Sequence, residues 1–191
     1  MRLVIDIAIA ILIATTIGFS TAWLAVNHGF IFGAVQAGGW TAWPSAGSAD
    51  ADPYSLAILA RDGEVPLGEG EGIAFTADAD AAGDPLSGTC TYELAGLTPA
   101  ARLWTLTAYD GEGRLMVNAA RRTGFHSREI LRRNDGSFVI GISAQVQPGN
   151  WLPLARADGI RLVLRLYDTP LTTGSRIADL VMPAIRKVSC P

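Results

Sequence analysis

From Ile7 to Val26 the chain reads IAIAILIATTIGFSTAWLAV, a run of apolar and small residues without a single charge. A bilayer core about 30 Å thick is crossed by about 20 residues of helix, so this run is long enough to span a membrane. Arg2 and the terminal amine precede it, and no Lys or Arg follows before Arg61. The excess of basic charge on the cytoplasmic side of such segments places the N-terminus inside and the rest of the chain outside. A secretory signal has a shorter apolar core with a small-x-small site close behind it. Here the core ends in Trp23-Leu24-Ala25-Val26, and the best such site, Val35-Gln36-Ala37, lies far downstream. An uncleaved anchor over residues 1–28 is therefore expected, with a cleaved signal as the alternative. Trp23, His28, Phe30, Phe32 and Trp40 supply aromatic groups for the outer interface.

Residues 29–51 are rich in Gly, Ala and Ser and read as a linker or a wrapping arm rather than a folded unit. What remains, residues 52–191, has the size of one ordinary domain. It opens with a short helix: Asp52 as N-cap, Pro53 at the first helical position and Gly63 at the C-terminal cap. From Gly72 onward the apolar period falls to two. Ile73, Phe75 and Ala77 alternate with polar or small neighbours. Leu103–Asp110 puts Trp104, Leu106 and Ala108 on one face, which makes Trp104 a core residue. Phe138, Ile140, Ile142, Ala144 and Val146 share a face, as do Leu162, Leu164 and Leu166. Cys90–Leu94 is a further strand, and Val181–Val188 a last one weakened by Pro183. Only Ser127–Arg133 has helical spacing. One apolar and one polar face per strand is the pattern of antiparallel sheets, and two such sheets face to face bury every apolar face.

Both cysteines, Cys90 and Cys190, fall on the exported side. An oxidising compartment favours a disulfide between them, with free thiols as the alternative. The net charge is −3 and the pI near 5.3, which argues against nucleic acid as a partner. No Cys or His lies at metal-ligand spacing, and no cofactor is implied. Asp78, Asp80 and Asp84 surround a glycine turn; an acidic hairpin tip is favoured over a calcium loop.

Four segments carry a resemblance: LWTLTAYDGEG (103–113), NDGSFVI (134–140), PGNWLPL (148–154) and LVLRLYDTP (162–170). In order and spacing they resemble the domain of unknown function 1214 family, and GDPLSGTCTYEL (83–94) extends the likeness to most of residues 72–188. The resemblance implies an all-β, jelly-roll-like antiparallel β-sandwich, here preceded by one transmembrane helix and a short helix. It also implies a companion from the domain of unknown function 1254 family and looks like the short, membrane-anchored form. It transfers no catalytic residue.

Catalysis would have to use His126, with Ser127 or Ser143 and an acid, but no nucleophile-elbow glycine pattern surrounds either serine. Arg121, Arg122, Arg128, Arg132 and Arg133 read first as surface salt-bridge partners. Strand phase puts Arg165, Tyr167 and Tyr109 on polar faces, and with Asn150 they are the candidate lining of a site for a carboxylate, phosphate or lipid headgroup. Trp151, between Asn150 and Leu152-Pro153, is either a plug of the core or an exposed platform; the recurrence of its loop in the resembled family favours the plug. The expected function is a binding or interaction module at the periplasmic face of a bacterial inner membrane. The alternatives are an envelope enzyme acting on carbohydrate or lipid, and a membrane-tethered scaffold.

Overall fold

The computed structural model describes residues 2–27, 33–68, 70–173 and 177–191. The chain divides into two compact units, Met1–Gly33 with Ser45–Pro66, and Ala34–Pro44 with Leu67–Pro191.

The first unit is helical. Helix α1 spans Arg2–Asn27 and buries none of its residues in protein. It is long and apolar enough to cross a membrane. Its threonines return their hydroxyls to its own carbonyls: Thr15 to Ile11 at 2.8 Å, Thr16 to Leu12 at 2.7 Å and Thr21 to Ile17 at 2.9 Å. These three hydroxyls then need no outside partner, which suits a segment surrounded by hydrocarbon. Helix α2 spans Pro53–Asp62. The Asp52 carboxylate accepts the Tyr54 and Ser55 amides at 2.9 and 3.1 Å, and Gly63 closes the other end in the left-handed region at φ 66°. Both caps are as the sequence predicts. Arg61 of α2 donates to the Val26 carbonyl and the Asn27 side chain at the end of α1, at 2.8 and 2.9 Å.

The second unit is a β-sandwich. Its strands are β1 (Val35–Ala37), β2 (Trp40–Ala42), β3 (Gly72–Ala77), β4 (Thr91–Gly96), β5 (Leu103–Asp110), β6 (Gly124–His126), β7 (Phe138–Ser143), β8 (Asn150–Pro153), β9 (Ile160–Tyr167) and β10 (Ala184–Ser189). One sheet has the order β1-β2-β3-β9-β5-β6 and the other β10-β4-β7-β8. Phe75, Leu106, Leu164 and Leu166 from the larger sheet share one core with Leu94, Ile140, Ile142 and Leu152 from the smaller. The rings of Trp104 and Phe138 join the two sheets at 5.1 Å between centroids. Trp104 is the core residue its strand phase predicts. Cys90 and Cys190 are disulfide-bonded across a separation of 100 residues.

Four features depart from the expectation. Inside the stretch read as a linker, β1 and β2 form a hairpin that extends the larger sheet, with Trp40 only 1% exposed and its indole N–H on the Pro183 carbonyl at 2.8 Å. His28, Phe30 and Phe32 lie outside the described residues. The helical spacing of Ser127–Arg133 produces no helix; the segment is a turn followed by a bridge from Arg132 to Phe138. Not every pair is antiparallel either: β8 runs parallel to β7. The last strand starts at Ala184, one residue beyond Pro183, whose missing N–H keeps it out of a ladder.

Candidate functional site

The outward face of the larger sheet is built by the residues that alternate with its core positions. Strand β9 contributes Arg161, Val163, Arg165 and Tyr167. Register sets Arg165 between Ala74 of β3 and Thr105 of β5, and Val163 between Thr76 and Thr107. This central position half-buries the Arg165 side chain on a flat, threonine-rich surface. Arg165 Nη1 donates to the Tyr109 hydroxyl at 3.2 Å, and its guanidinium carbon lies 5.8 Å from the Tyr109 ring centroid.

Arg161, four residues earlier on the same strand and face, is held differently. Its Nε and Nη2 grip both oxygens of Asp78 at 2.7 and 3.3 Å, a bidentate pair. Arg165 has no carboxylate within ion-pair reach among the described residues. A planar guanidinium with five donors, held by one phenol and turned toward a polar sheet face, retains the capacity to bind an anion bidentately. Tyr167 shares the face, next to Leu103 and Gly72 in the register. Three of the four residues nominated for a site thus lie on one surface, and two of them touch.

Asn150 does not join them. It is buried in β8 of the other sheet. Its Oδ1 accepts the Leu131 amide at 2.8 Å, and its Nδ2 donates to the carbonyls of Leu131 and Val139 at 2.9 and 2.8 Å. Its side chain is a clamp between three backbone groups. Trp151 alternates with Asn150 and Leu152 and so points away from the core, opposite Gly141. It is half-buried, with its indole N–H on the Ser143 carbonyl at 3.1 Å. The core seal at this place is Leu152, not the indole.

The acidic loop is neutralised from within the fold. Asp78 holds Arg161, and Lys187 of β10 bonds Asp84. Asp80 is buried and its Oδ1 accepts the amides of Ala82 and Asp84 at 2.9 and 3.0 Å. The side-chain hydrogen bond from Lys187 to Asp84 holds the ammonium's pKa above the ordinary lysine range. Among the described residues no three metal-binding side chains converge. Beside this loop lies an open cleft of about 220 Å³, lined by Gly38, Gly39, Trp40, Asp80, Met182 and Pro183 among others. At the far end of β5 the Asp110 carboxylate accepts the Arg114 amide, which lowers its pKa against the opposing effect of burial.

His126 is exposed on β6. Its Nε2 is 3.6 Å from Glu129, and its Nδ1 accepts the Arg128 amide at 3.3 Å. Ser127 accepts the Trp104 amide at 3.4 Å, and Ser143 donates to the Gln145 carbonyl, so each serine oxygen is engaged by backbone. Of the basic series, Arg122 lies over the Phe125 ring at 4.5 Å and reaches Glu129 at 3.7 Å. Arg132 covers Phe138 and Trp104 at 5.7 and 6.0 Å. Sequence reading missed Thr76, Thr105 and Thr107 around Arg165, because only the register of three strands brings them there.

Comparison with known proteins supplies the remaining observations. The profile of the family described as "Protein of unknown function (DUF1214)" matches residues 71–171. The crystal structure of the VPA0106 protein from Vibrio parahaemolyticus superposes with a TM-score of 0.59 at 25% identity, covering 73% of this chain and 36% of that one. An uncharacterised protein from Burkholderia cenocepacia superposes with a TM-score of 0.41 at 17% identity, over 63% of this chain and 29% of that one. The chain thus spans about a third of the length of these relatives. No curated protein matches it. The matched residues hold β3 through β9, both the Arg165 face and the Asn150 clamp, and on that match the chain belongs to the DUF1214 family, whose function is unknown.

Proposed function

We propose that the chain is a bitopic cell-envelope protein whose exported β-sandwich is a binding module, with the face around Arg165, Tyr109 and Tyr167 as its site for an anionic group. The observation that carries this reading is the half-buried Arg165 guanidinium, which no carboxylate neutralises among the described residues. A buried or half-buried arginine kept for structure alone is ordinarily paired, and on this face even the exposed Arg161 is paired, with Asp78. The length and composition of α1 and the disulfide support an anchor in the inner membrane and a domain in the periplasm. A companion from the domain of unknown function 1254 family is the partner that the resemblance suggests.

The test is an NMR titration of the full chain in micelles with acetate and with inorganic phosphate, following arginine Nε–H resonances. The Arg165 resonance is expected to move saturably while Arg161, held by Asp78, stays still. An unmoved Arg165, or equal movement of both arginines, removes the site. The partner is tested separately by purification from membranes in mild detergent.

A further inference from the structure

Residues 115–134 contain five arginines and one glutamate, within a chain whose net charge is −3. They make up most of two connections, β5 to β6 and β6 to β7. Both connections are tied to β8. Asn118 Nδ2 donates to the Pro153 carbonyl at 3.3 Å, and Leu131 is clamped by Asn150. β6 ends the six-stranded sheet and β8 ends the four-stranded one. The two connections therefore meet along one edge of the sandwich, where Arg122 of the first reaches Glu129 of the second at 3.7 Å.

The chemistry of this edge is mixed in a specific way. Each connection roots one apolar side chain in the core, Met116 and Ile130, and turns the next outward: Val117 is 83% exposed and Leu131 67%. Arg121 and Arg128 are exposed and make no ion pair among the described residues, while Glu129 is shared between Arg122 and His126. Arginines without counter-ions next to bare aliphatic side chains match the two layers of a bilayer surface, anionic headgroups outside and acyl chains beneath. A soluble polyanion would call for the cations alone. The apolar α1 in the same chain raises the effective concentration of the domain at a bilayer.

We propose that this arginine-rich edge docks on the anionic phospholipid surface of a membrane. The proposal goes beyond the Arg165 site and stands independently of it. The test uses the full chain in nanodiscs of phosphatidylcholine, alone or mixed with phosphatidylglycerol, and reads amide hydrogen exchange. Amides of 117–123 and 127–131 are expected to exchange more slowly in the anionic discs. One cation near such a surface is worth roughly fivefold in the docking equilibrium. The double variant Arg121→Gln, Arg128→Gln therefore loses most of that protection, with β9 amides unchanged as the check on folding. Leu131→Ser, which leaves every charge in place, also weakens it. Equal exchange in the two lipids overturns the proposal. So does protection by inorganic polyphosphate in neutral discs without any protection by anionic lipid, which assigns the edge to a soluble polyanion.

Discussion

Asn150 and Trp151 are adjacent on one strand and hold backbone groups in opposite ways. Asn150 pairs three partly buried backbone groups with a single side-chain amide, which offers one acceptor and two donors. Asn150→Ala leaves those groups unpaired and is expected to cost about 3 kcal/mol. Asn150→Asp should cost at least as much, because it sets oxygen against two carbonyls. Trp151→Ala is expected to cost about 2 kcal/mol, less than the removal of a fully buried ring, and Trp151→Phe about 1 kcal/mol for the lost bond to Ser143. Chemical denaturation of the four variants orders them. If Trp151→Ala is the most harmful, the outward placement of the indole fails. The identity of these residues as special is legible in the sequence, but their roles are not. Reading PGNWLPL as a loop hides the alternation that sends Asn150 and Leu152 inward and Trp151 out. The partner of Asn150 lies 19 residues away, in a segment whose spacing suggests a helix. Arg165 and Tyr109 are readable from strand phase, whereas the lack of an acid beside Arg165 among the described residues is a property of three paired strands.

Strand β10 shows how an edge element is held when its own burial is slight. Ile185 is its one core residue, and Arg186 to Ser189 are exposed. The antiparallel ladder to β4, the Ala81 amide on the Ile185 carbonyl at 2.8 Å, the Lys187–Asp84 bond and the disulfide together fix it. In the chain-entropy account, closing a loop of this length contributes about 4–5 kcal/mol. Cys190→Ala with Cys90→Ala is expected to lower stability by about that much at most, and exchange should rise first in β10. If global stability drops without faster exchange in β10, the staple is not local. The lysine gives a pH signature. Because its folded-state pKa is raised, its contribution is complete at neutral pH and is lost as pH climbs through the lysine range, above about pH 10. The Tm gap between the wild type and Lys187→Met should therefore be constant near neutrality and close in alkali. A gap independent of pH would mean that packing, not charge, supplies the effect. The long strands β5, β7 and β9 are plain from period two. The three-residue strands β1, β2 and β6 are not, since three residues carry no period, and the Gly38-Gly39 turn between β1 and β2 reads as linker.

At the scale of the molecule, a helix able to span a membrane is legible because bilayer thickness demands a single quantity, about 20 uncharged residues, and α1 supplies it. The expectation that this helix stays attached draws on a feature the sequence conceals. The best small-x-small site ends at Ala37, and cleavage there removes all of β1 from the larger sheet. Ala37 is fully buried in the core cluster, and β1 pairs with β2 through all three of its residues. A mature chain starting at Gly38 would expose β2 as a new edge beside Trp40, whose indole is anchored to Pro183. The sandwich thus packs residues that cleavage at Ala37 would discard, and retention of α1 is the expected outcome. Intact mass of the protein extracted from membranes should include residues 1–37, and carbonate washing should not release it. With Arg2 as the only basic side chain before Arg61, alkaline phosphatase fused after Pro191 should be active, and fused in place of the sandwich after Asn27 it should be active too. A soluble periplasmic product beginning at Gly38, with the melting behaviour of the full chain, would make the helix a signal sequence and β1 dispensable.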